Sequence, residues 1–273
     1  MPTIEVNGVQ IWYEFSGEGP PLVQIGGAVS GHEGYATVTP GLSASLRILD
    51  YDHRGYGLSD RPAQKYGFDV WAHDLAGLLD ALGIGRTHVH GGSMGSFIAV
   101  WFAAHYPDRV ERMVLGAGAA AKCDYMAHLH FTLWQRIATT WGMDSDEMAM
   151  QLASHAYSRA FLDGPDGGAA TVAAIREVAA RCASVPVFID ACEAMMTTDV
   201  TDLLGLITAP TLVLCGSEDV LTPLDQGPAG VGARAVAERI PNARLHVFPG
   251  SAHAHYAECA EESVEVIREF LLE

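Results

Sequence analysis

Residues 87–105 constrain the fold more than any other stretch of the chain. Thr87-His88-Val89-His90 is a short β-prone run, and after Gly91-Gly92-Ser93-Met94-Gly95 the apolar residues Met94, Phe97, Ile98, Trp101 and Phe102 recur at helical spacing. The pattern predicts a strand, a tight turn and a helix with no room for a loop between them. Glycines two before and two after Ser93 let the strand and helix backbones approach and relieve a strained turn residue. A serine held there is presented as a nucleophile, although the same five-residue pattern also serves as an ordinary capped turn. The rest of the chain has to decide between the two.

Ile4-Glu5-Val6 and Val9 to Glu14 flank Asn7-Gly8, a hairpin signal because both turn residues tolerate positive φ. Pro21 to Ile25 and Leu46 to Tyr51 read as strands, and Phe68 to Leu82 as a helix with Trp71, Leu75, Leu78, Leu79 and Leu82 on one face. Val110 to Leu115, Thr211 to Cys215 and Ala243 to Phe248 are further strands, and a final acidic amphipathic helix, its acids running from Glu258 to Glu269, turns Val264, Ile267 and Leu271 inward. Strands alternating with helices imply an α/β fold, a mostly parallel sheet with helices on both faces. From about 122 to 206 no strand is legible. That stretch carries a capping-box pattern, Asp144-x-x-Glu147, and a break at Gly164-Pro165-Asp166-Gly167-Gly168. Residues 1–121 and 207–273 are therefore expected to form one core, interrupted by a separable helical insertion over 122–206.

Two strand ends supply partners for Ser93. Gly216-Ser217-Glu218-Asp219 leaves the strand that ends at Cys215, and Pro249-Gly250-Ser251-Ala252-His253 leaves the one that ends at Phe248. Serine, acid and histidine thus follow one another along the chain at one edge of the sheet. The rival acid is Asp124, in Lys122-Cys123-Asp124, which lacks a matching turn. The rival histidine is His255, which an incipient helix would carry past the elbow. A serine hydroxyl becomes nucleophilic when a neutral imidazole takes its proton, and the imidazole needs a carboxylate to fix its tautomer. An oxyanion formed by that attack needs donors already aimed at it, and the Met94 N–H at a helix N-terminus is one.

With these residues in view, the chain resembles the α/β-hydrolase superfamily over almost its whole length. Besides the elbow, Asp52-His53-Arg54-Gly55-Tyr56-Gly57-Leu58-Ser59 is similar to the family's D-x-R-G-x-G-x-S loop. His105-Tyr106-Pro107-Asp108-Arg109-Val110 and Gly216-x-x-Asp219-x-x-x-Pro223 match further family segments. The resemblance implies an eight-stranded sheet, a cap over the active site formed by the insertion, catalytic Ser93, Asp219 and His253, and an oxyanion hole of Met94 and Gly27. Three departures stand out: Ile25-Gly26 replaces the family's frequent His-Gly, Ala252 replaces the Gly before the histidine, and Ser96 follows the elbow in place of a second Gly.

Composition narrows the partners. The balance of 16 basic against 33 acidic residues, a net charge of -17, repels nucleic acid and anionic membranes. No run approaches the roughly 18 apolar residues of a membrane span. The first residues lack a basic-then-apolar secretion signal, and the five cysteines form no C-x-x-C pair, so a reducing, cytoplasmic setting is expected. Among twelve histidines the i, i+2 pairs His88/His90, His128/His130 and His253/His255 lack acidic partners at ligand spacing, so no metal is expected. His32 is a candidate for lining the pocket. Most of the insertion's Met126, Met143, Met148, Met150, Met195 and Met196, with Tyr125, Phe131, Trp134, Trp141, Tyr157 and Phe188, pack helices, and a minority face the serine. Arg136, Arg159, Arg176 and Arg181 offer cations for a substrate carboxylate.

The expectation is a cofactor-independent serine hydrolase acting on a small hydrophobic ester or lactone through an acyl-enzyme, as a monomer or a homo-oligomer. The alternatives are a C–C bond hydrolase on a diketone-type substrate, and a non-hydrolytic ligand receptor or cofactor-free oxygenase on the same fold.

Overall fold

The computed structural model describes residues 2–273. Its strands are β1 (Thr3–Val6), β2 (Val9–Ser16), β3 (Pro21–Ile25), β4 (Arg47–Tyr51), β5 (Thr87–Gly92), β6 (Val110–Gly116), β7 (Thr211–Gly216) and β8 (Ala243–Phe248). They form one eight-stranded sheet in the order β1-β2-β4-β3-β5-β6-β7-β8. Asn7 and Gly8 both take positive φ and turn β1 back on β2. β2 also runs antiparallel to β4, and every later pairing is parallel. The expected mostly parallel, eight-stranded sheet is present.

The helices are α1 (Thr39–Leu42), α2 (Phe68–Ala81), α3 (Met94–His105), α4 (Tyr125–Trp141), α5 (Asp146–Ala156), α6 (Arg159–Leu162), α7 (Ala169–Cys182), α8 (Val185–Thr197), α9 (Ala233–Arg239), α10 (His255–Glu258) and α11 (Ala260–Leu272). Strand residues alternate between two cores. Val23, Leu49, Val89, Leu115 and Val213 face the side that holds Trp71, Leu78, Phe97 and Phe102 of α2 and α3. Leu22, Ile48, Val114, Leu212 and Leu214 face Leu42, Ile267, Phe270 and Leu271 of α1 and α11. Each such side chain contributes about 1.5–3 kcal/mol by leaving water.

β3 and β5 lie side by side, and the connection from β3 leads outward to β4 on one side while that from β5 leads outward to β6 on the other. This is the topological switch point of an open parallel sheet, where a crevice opens beyond the strands' C-terminal ends. The loop after β3 and the turn after β5 meet there.

Helices α4 to α8 and a 3-10 turn, Thr201–Leu206, fill the connection from β6 to β7. The capping pattern belongs one residue later than Asp144: Ser145 is the N-cap of α5, accepting from the Met148 N–H at 3.2 Å. Asp146 and Glu147 follow in the first turn, where their charges favour the helix N-terminus. No helix among the described residues is long and apolar enough to cross a membrane.

Candidate active site

Ser93 sits at φ 56°, in the left-handed region, between β5 and α3. The turn needs the glycines on either side: a Cβ at Gly91 would collide with the Gly95 carbonyl, and one at Gly95 with the Ile25 carbonyl. Ser96, where the family has a second Gly, places its hydroxyl 2.9 Å from the Gly91 carbonyl oxygen and 3.0 Å from that of Gly116. It ties the start of α3 back to β5 and β6. The elbow is therefore held rigidly by elements of the sheet.

Asp219 and His253 arrive from the ends of β7 and β8. The Ser93 hydroxyl lies 3.0 Å from His253 Nε2, and His253 Nδ1 lies 2.8 Å from Asp219 Oδ2. A carboxylate only accepts, so the imidazole proton is on Nδ1 and Nε2 is free to accept from Ser93. The other oxygen of Asp219 accepts from the N–H groups of Leu221 at 2.8 Å and Thr222 at 3.0 Å. Burial alone would raise the Asp219 carboxyl. The His253 charge and hydrogen bond, together with the two N–H donors, outweigh it and hold the group below the ordinary carboxylate range.

The β3 loop passes directly over the elbow, where a Cβ at Gly27 would come within 3.4 Å of Ser93 Cβ and 3.9 Å of Oγ. His53 Nε2 lies 3.0 Å from the Gly26 carbonyl, and the Tyr35 hydroxyl donates to the Ile25 carbonyl at 2.8 Å. The loop is thus pinned without the family's histidine at position 25. Met94 is the first residue of α3, whose N-terminal N–H groups and dipole favour negative charge beside Ser93.

A cavity of about 290 Å³ opens from Ser93 and His253 beneath the inserted helices. Its walls are mainly apolar, with Phe97 from the core and Phe131, Trp134, Leu152, Ile175 and Met195 from the insertion. Among the described residues no lysine or arginine lines it, and the one lining carboxylate is Glu33. Glu33 is held by Arg181 of α7, with Nη2 2.7 Å from Oε2.

Other sequence candidates fall elsewhere. Asp124 caps α4, accepting from Ala127 N–H at 3.0 Å and from Gly227 N–H at 2.9 Å. His255 is fully buried; its Nε2 accepts from the Ala117 N–H at 2.9 Å, and burial pushes its pKa down to about 3. It braces the loop after β6 as a neutral ring. His32 does not line the cavity: its Nδ1 pairs with Asp52 at 2.7 Å and its ring lies against Trp12. His90 lies under the elbow, its Nε2 2.6 Å from the Tyr256 hydroxyl. Arg136, Arg159 and Arg176 are exposed and do not reach the cavity wall, whereas the exposed Arg181 meets it by pairing with Glu33. Of the insertion's methionines only Met195 lines it, and Met126, Met150, Tyr125 and Trp141 face outward.

Sequence reasoning passed over Thr222 and Glu258. The Thr222 hydroxyl lies 3.2 Å from both Asp219 Oδ2 and His253 Nδ1. Its place three residues after the acid, next to Pro223, was the available signal. Glu258 reads in the sequence as one acid of a solvated run, yet it bonds Ser158 and Ala252 around the His253 loop.

A family model for the alpha/beta hydrolase fold matches residues 20–149. The chain is 30% identical to 2-hydroxymuconate semialdehyde hydrolase of Pseudomonas sp. (strain CF600), covering 97% of this chain and 92% of the relative. It is 31% identical to the 2-hydroxy-6-oxononadienedioate/2-hydroxy-6-oxononatrienedioate hydrolase of Paraburkholderia xenovorans (strain LB400), covering 96% and 91%. Among solved structures, the enol-lactonase from Burkholderia xenovorans LB400 is similar over 100% of both chains, with a TM-score of 0.87 at 27% identity. The chain belongs to the α/β-hydrolase superfamily. With relatives of this kind over nearly its full length, it is a hydrolase.

Proposed function

We propose that this hydrolase uses Ser93 as nucleophile, His253 as general base and acid, and Asp219 as the carboxylate that orients the imidazole. Its substrate on this reading is a carboxylic ester or lactone of a small, uncharged, apolar molecule. The observation that carries the proposal is the continuous hydrogen-bonded chain from Ser93 through His253 to Asp219, opening into an apolar cavity among whose described lining residues there is no cation.

In the reaction, Ser93 Oγ attacks the substrate carbonyl as His253 Nε2 takes the hydroxyl proton. The N–H groups of Met94 and Gly27 receive the oxyanion, each such donor being worth about 2.7–4 kcal/mol of transition-state stabilisation. The C–O bond to the alcohol then breaks, and the imidazolium returns its proton to the leaving oxygen. Water, activated by the same nitrogen, releases the acid and restores Ser93. No cofactor enters this sequence. Residues 122–206 act as a cap that shapes the acyl or alcohol site.

The named relatives favour a second reading, hydrolysis of a C–C bond in a diketone-type substrate by the same triad. Their substrates, a muconate semialdehyde and oxononadienedioates, carry carboxylates. Burying a carboxylate without a partner is costly, and the guanidinium that meets this cavity's wall, Arg181, is already paired with Glu33. That contrast favours the uncharged ester or lactone. The test is a panel of p-nitrophenyl esters, lactones and a carboxylate-bearing ring-fission diketone, run on wild type and Ser93→Ala. Ester or lactone turnover that vanishes in Ser93→Ala is the expected result, and turnover of the diketone alone would overturn the substrate assignment.

A further inference from the structure

Ser93 and Asp219 are fixed by the sheet and by backbone donors of the core, but His253 is not. It lies on the loop from β8 to α10, and both backbone N–H groups flanking it are tied to the inserted helices. On one side, the Ala254 N–H donates directly to the Ala156 carbonyl, at the end of α5, at 2.7 Å. On the other, the Ala252 N–H donates to Glu258 Oε1 at 3.3 Å, and that same oxygen accepts from the Ser158 N–H at 2.9 Å. Glu258 Oε2 accepts from the Ser158 hydroxyl at 2.5 Å. Ser158 is 3% exposed and is the N-cap of α6, its Oγ also accepting from the Phe161 N–H. Hydrogen bonds to an ionised carboxylate are roughly twice as strong as neutral ones. Residues 156–158 and Glu258 thus form a strap around the histidine.

We propose that Glu258 is a positioning residue that couples the seating of the inserted helices to the placement of His253, so that the imidazole bridges Asp219 and Ser93 only while residues 156–158 are docked on its loop. This rests on the reading of Ser93, His253 and Asp219 as the reacting groups. A shift of about 1 Å in a catalytic group costs on the order of a hundredfold in rate. Loss of the strap therefore falls chiefly on turnover, and because Ala156 and Tyr157 also line the cavity it weakens substrate binding by a smaller factor.

The test compares wild type with Glu258→Ala, Glu258→Gln and Ser158→Ala, and with Glu261→Ala as an exposed acidic control on α11. Steady-state hydrolysis of p-nitrophenyl butyrate, fluorophosphonate labelling rates and amide hydrogen exchange are measured on each. Glu258→Ala is expected to lower kcat roughly thirtyfold with KM within about threefold, and to slow labelling by a similar factor. Glu258→Gln keeps an acceptor for both N–H groups and a polar group toward the Ser158 hydroxyl, and is expected to recover kcat to within about threefold. Should Glu258→Ala fail to fold, Ser158→Ala, which keeps the carboxylate and its two N–H bonds, still reads the strap and is expected to lose several-fold in kcat. Unchanged kcat in either folded variant, a loss confined to KM, or an equal loss in Glu261→Ala overturns the proposal. Exchange at the Ala254 amide separates the strap from the chemistry, since it requires no turnover. It is expected to quicken by about tenfold or more in Glu258→Ala, and unchanged exchange refutes the strap even if Ser93 is the nucleophile. Quickened exchange in a protein whose wild type neither turns over ester nor labels refutes the Ser93 reading, and with it the catalytic role of Glu258.

Discussion

Replacing Asp219 by asparagine discriminates between the two acids available to His253, and the structure fixes how the new amide must sit. Asp219 Oδ1 accepts from two backbone N–H groups, those of Leu221 and Thr222, while Oδ2 faces His253 Nδ1 at 2.8 Å. An asparagine whose NH₂ faced those donors would leave buried N–H groups unpaired, at about 1–3 kcal/mol each. Its carbonyl therefore stays with the backbone and its NH₂ faces Nδ1. That nitrogen must then accept, the proton moves to Nε2, and Nε2 can no longer take the Ser93 proton. An amide that mis-sets the tautomer in this way lowers kcat by about 10⁴-fold, near 5.5 kcal/mol of barrier. Asp124→Asn is expected to leave kcat within about threefold, because asparagine caps a helix as well as aspartate. Ester turnover and thermal melts of the two variants decide the matter. Comparable losses, a larger loss at Asp124, or an Asp219→Asn enzyme within tenfold of wild type would each refute the assignment.

A fluorophosphonate is expected to label once, at Ser93, as read by mass spectrometry, and to leave Ser93→Ala unlabelled; adduct at another serine would contradict the site. Glu33 on the cavity wall is paired with Arg181, so Glu33→Gln removes one charge and frees a guanidinium, and it should raise kcat/KM for a half-ester bearing a free carboxylate several-fold relative to a neutral ester, and less at high salt. Equal ratios in both proteins would remove Glu33 from the account of selectivity. Asp50 is pushed up from 3.8 to about 7, by burial first and then by Glu14 and Asp52, against the opposing effect of His32. The folded state then holds a proton that the unfolded chain releases near pH 4, so this group progressively disfavours folding as pH rises from about 4 to about 7 and by a constant amount above. Asp50→Asn should raise Tm by a few degrees at pH 8, with the gain vanishing toward pH 4; a gain independent of pH would show that packing, not ionisation, is responsible.

What the sequence revealed was local. The elbow was legible from its run of strand, glycines, serine and helix, although the clash that requires Gly95 comes from the distant Ile25 carbonyl, and Asp219 and His253 were legible because each follows a strand-like run, one buried and one at the sheet edge. Roles set by packing between distant segments were not. The sequence of α4 carries large apolar residues on two faces, and nothing in it says that Phe131 and Trp134 turn inward while Met126, Leu129 and Leu133 turn to water. The capping pattern failed by one residue because Asp144 and Ser145 are both good caps. His32 was drawn toward the pocket by its nearness to Gly27 in sequence, whereas the Asp52 carboxylate takes it.

Glu258 is the instructive failure, since its neighbours in sequence and its partners in space say opposite things about it. As part of an acidic run at the start of the last helix it belongs to a solvated face. In the fold Glu258 instead closes the short α10, which begins two residues beyond His253 and ahead of the last helix, and it is brought against Ala252 and against Ser158 of the insertion. The expectation of a helical layer separable from the core treats substrate preference and chemistry as independent. A strap that ends on both sides of His253 makes them depend on one another. On the proposed reading the inserted helices bound the cavity and also hold the base in register, so a displacement of residues 156–158 would move the cavity wall and interrupt the chain from Asp219 to Ser93 together. Proton transfer from Ser93 is, on that same reading, thereby confined to the docked arrangement.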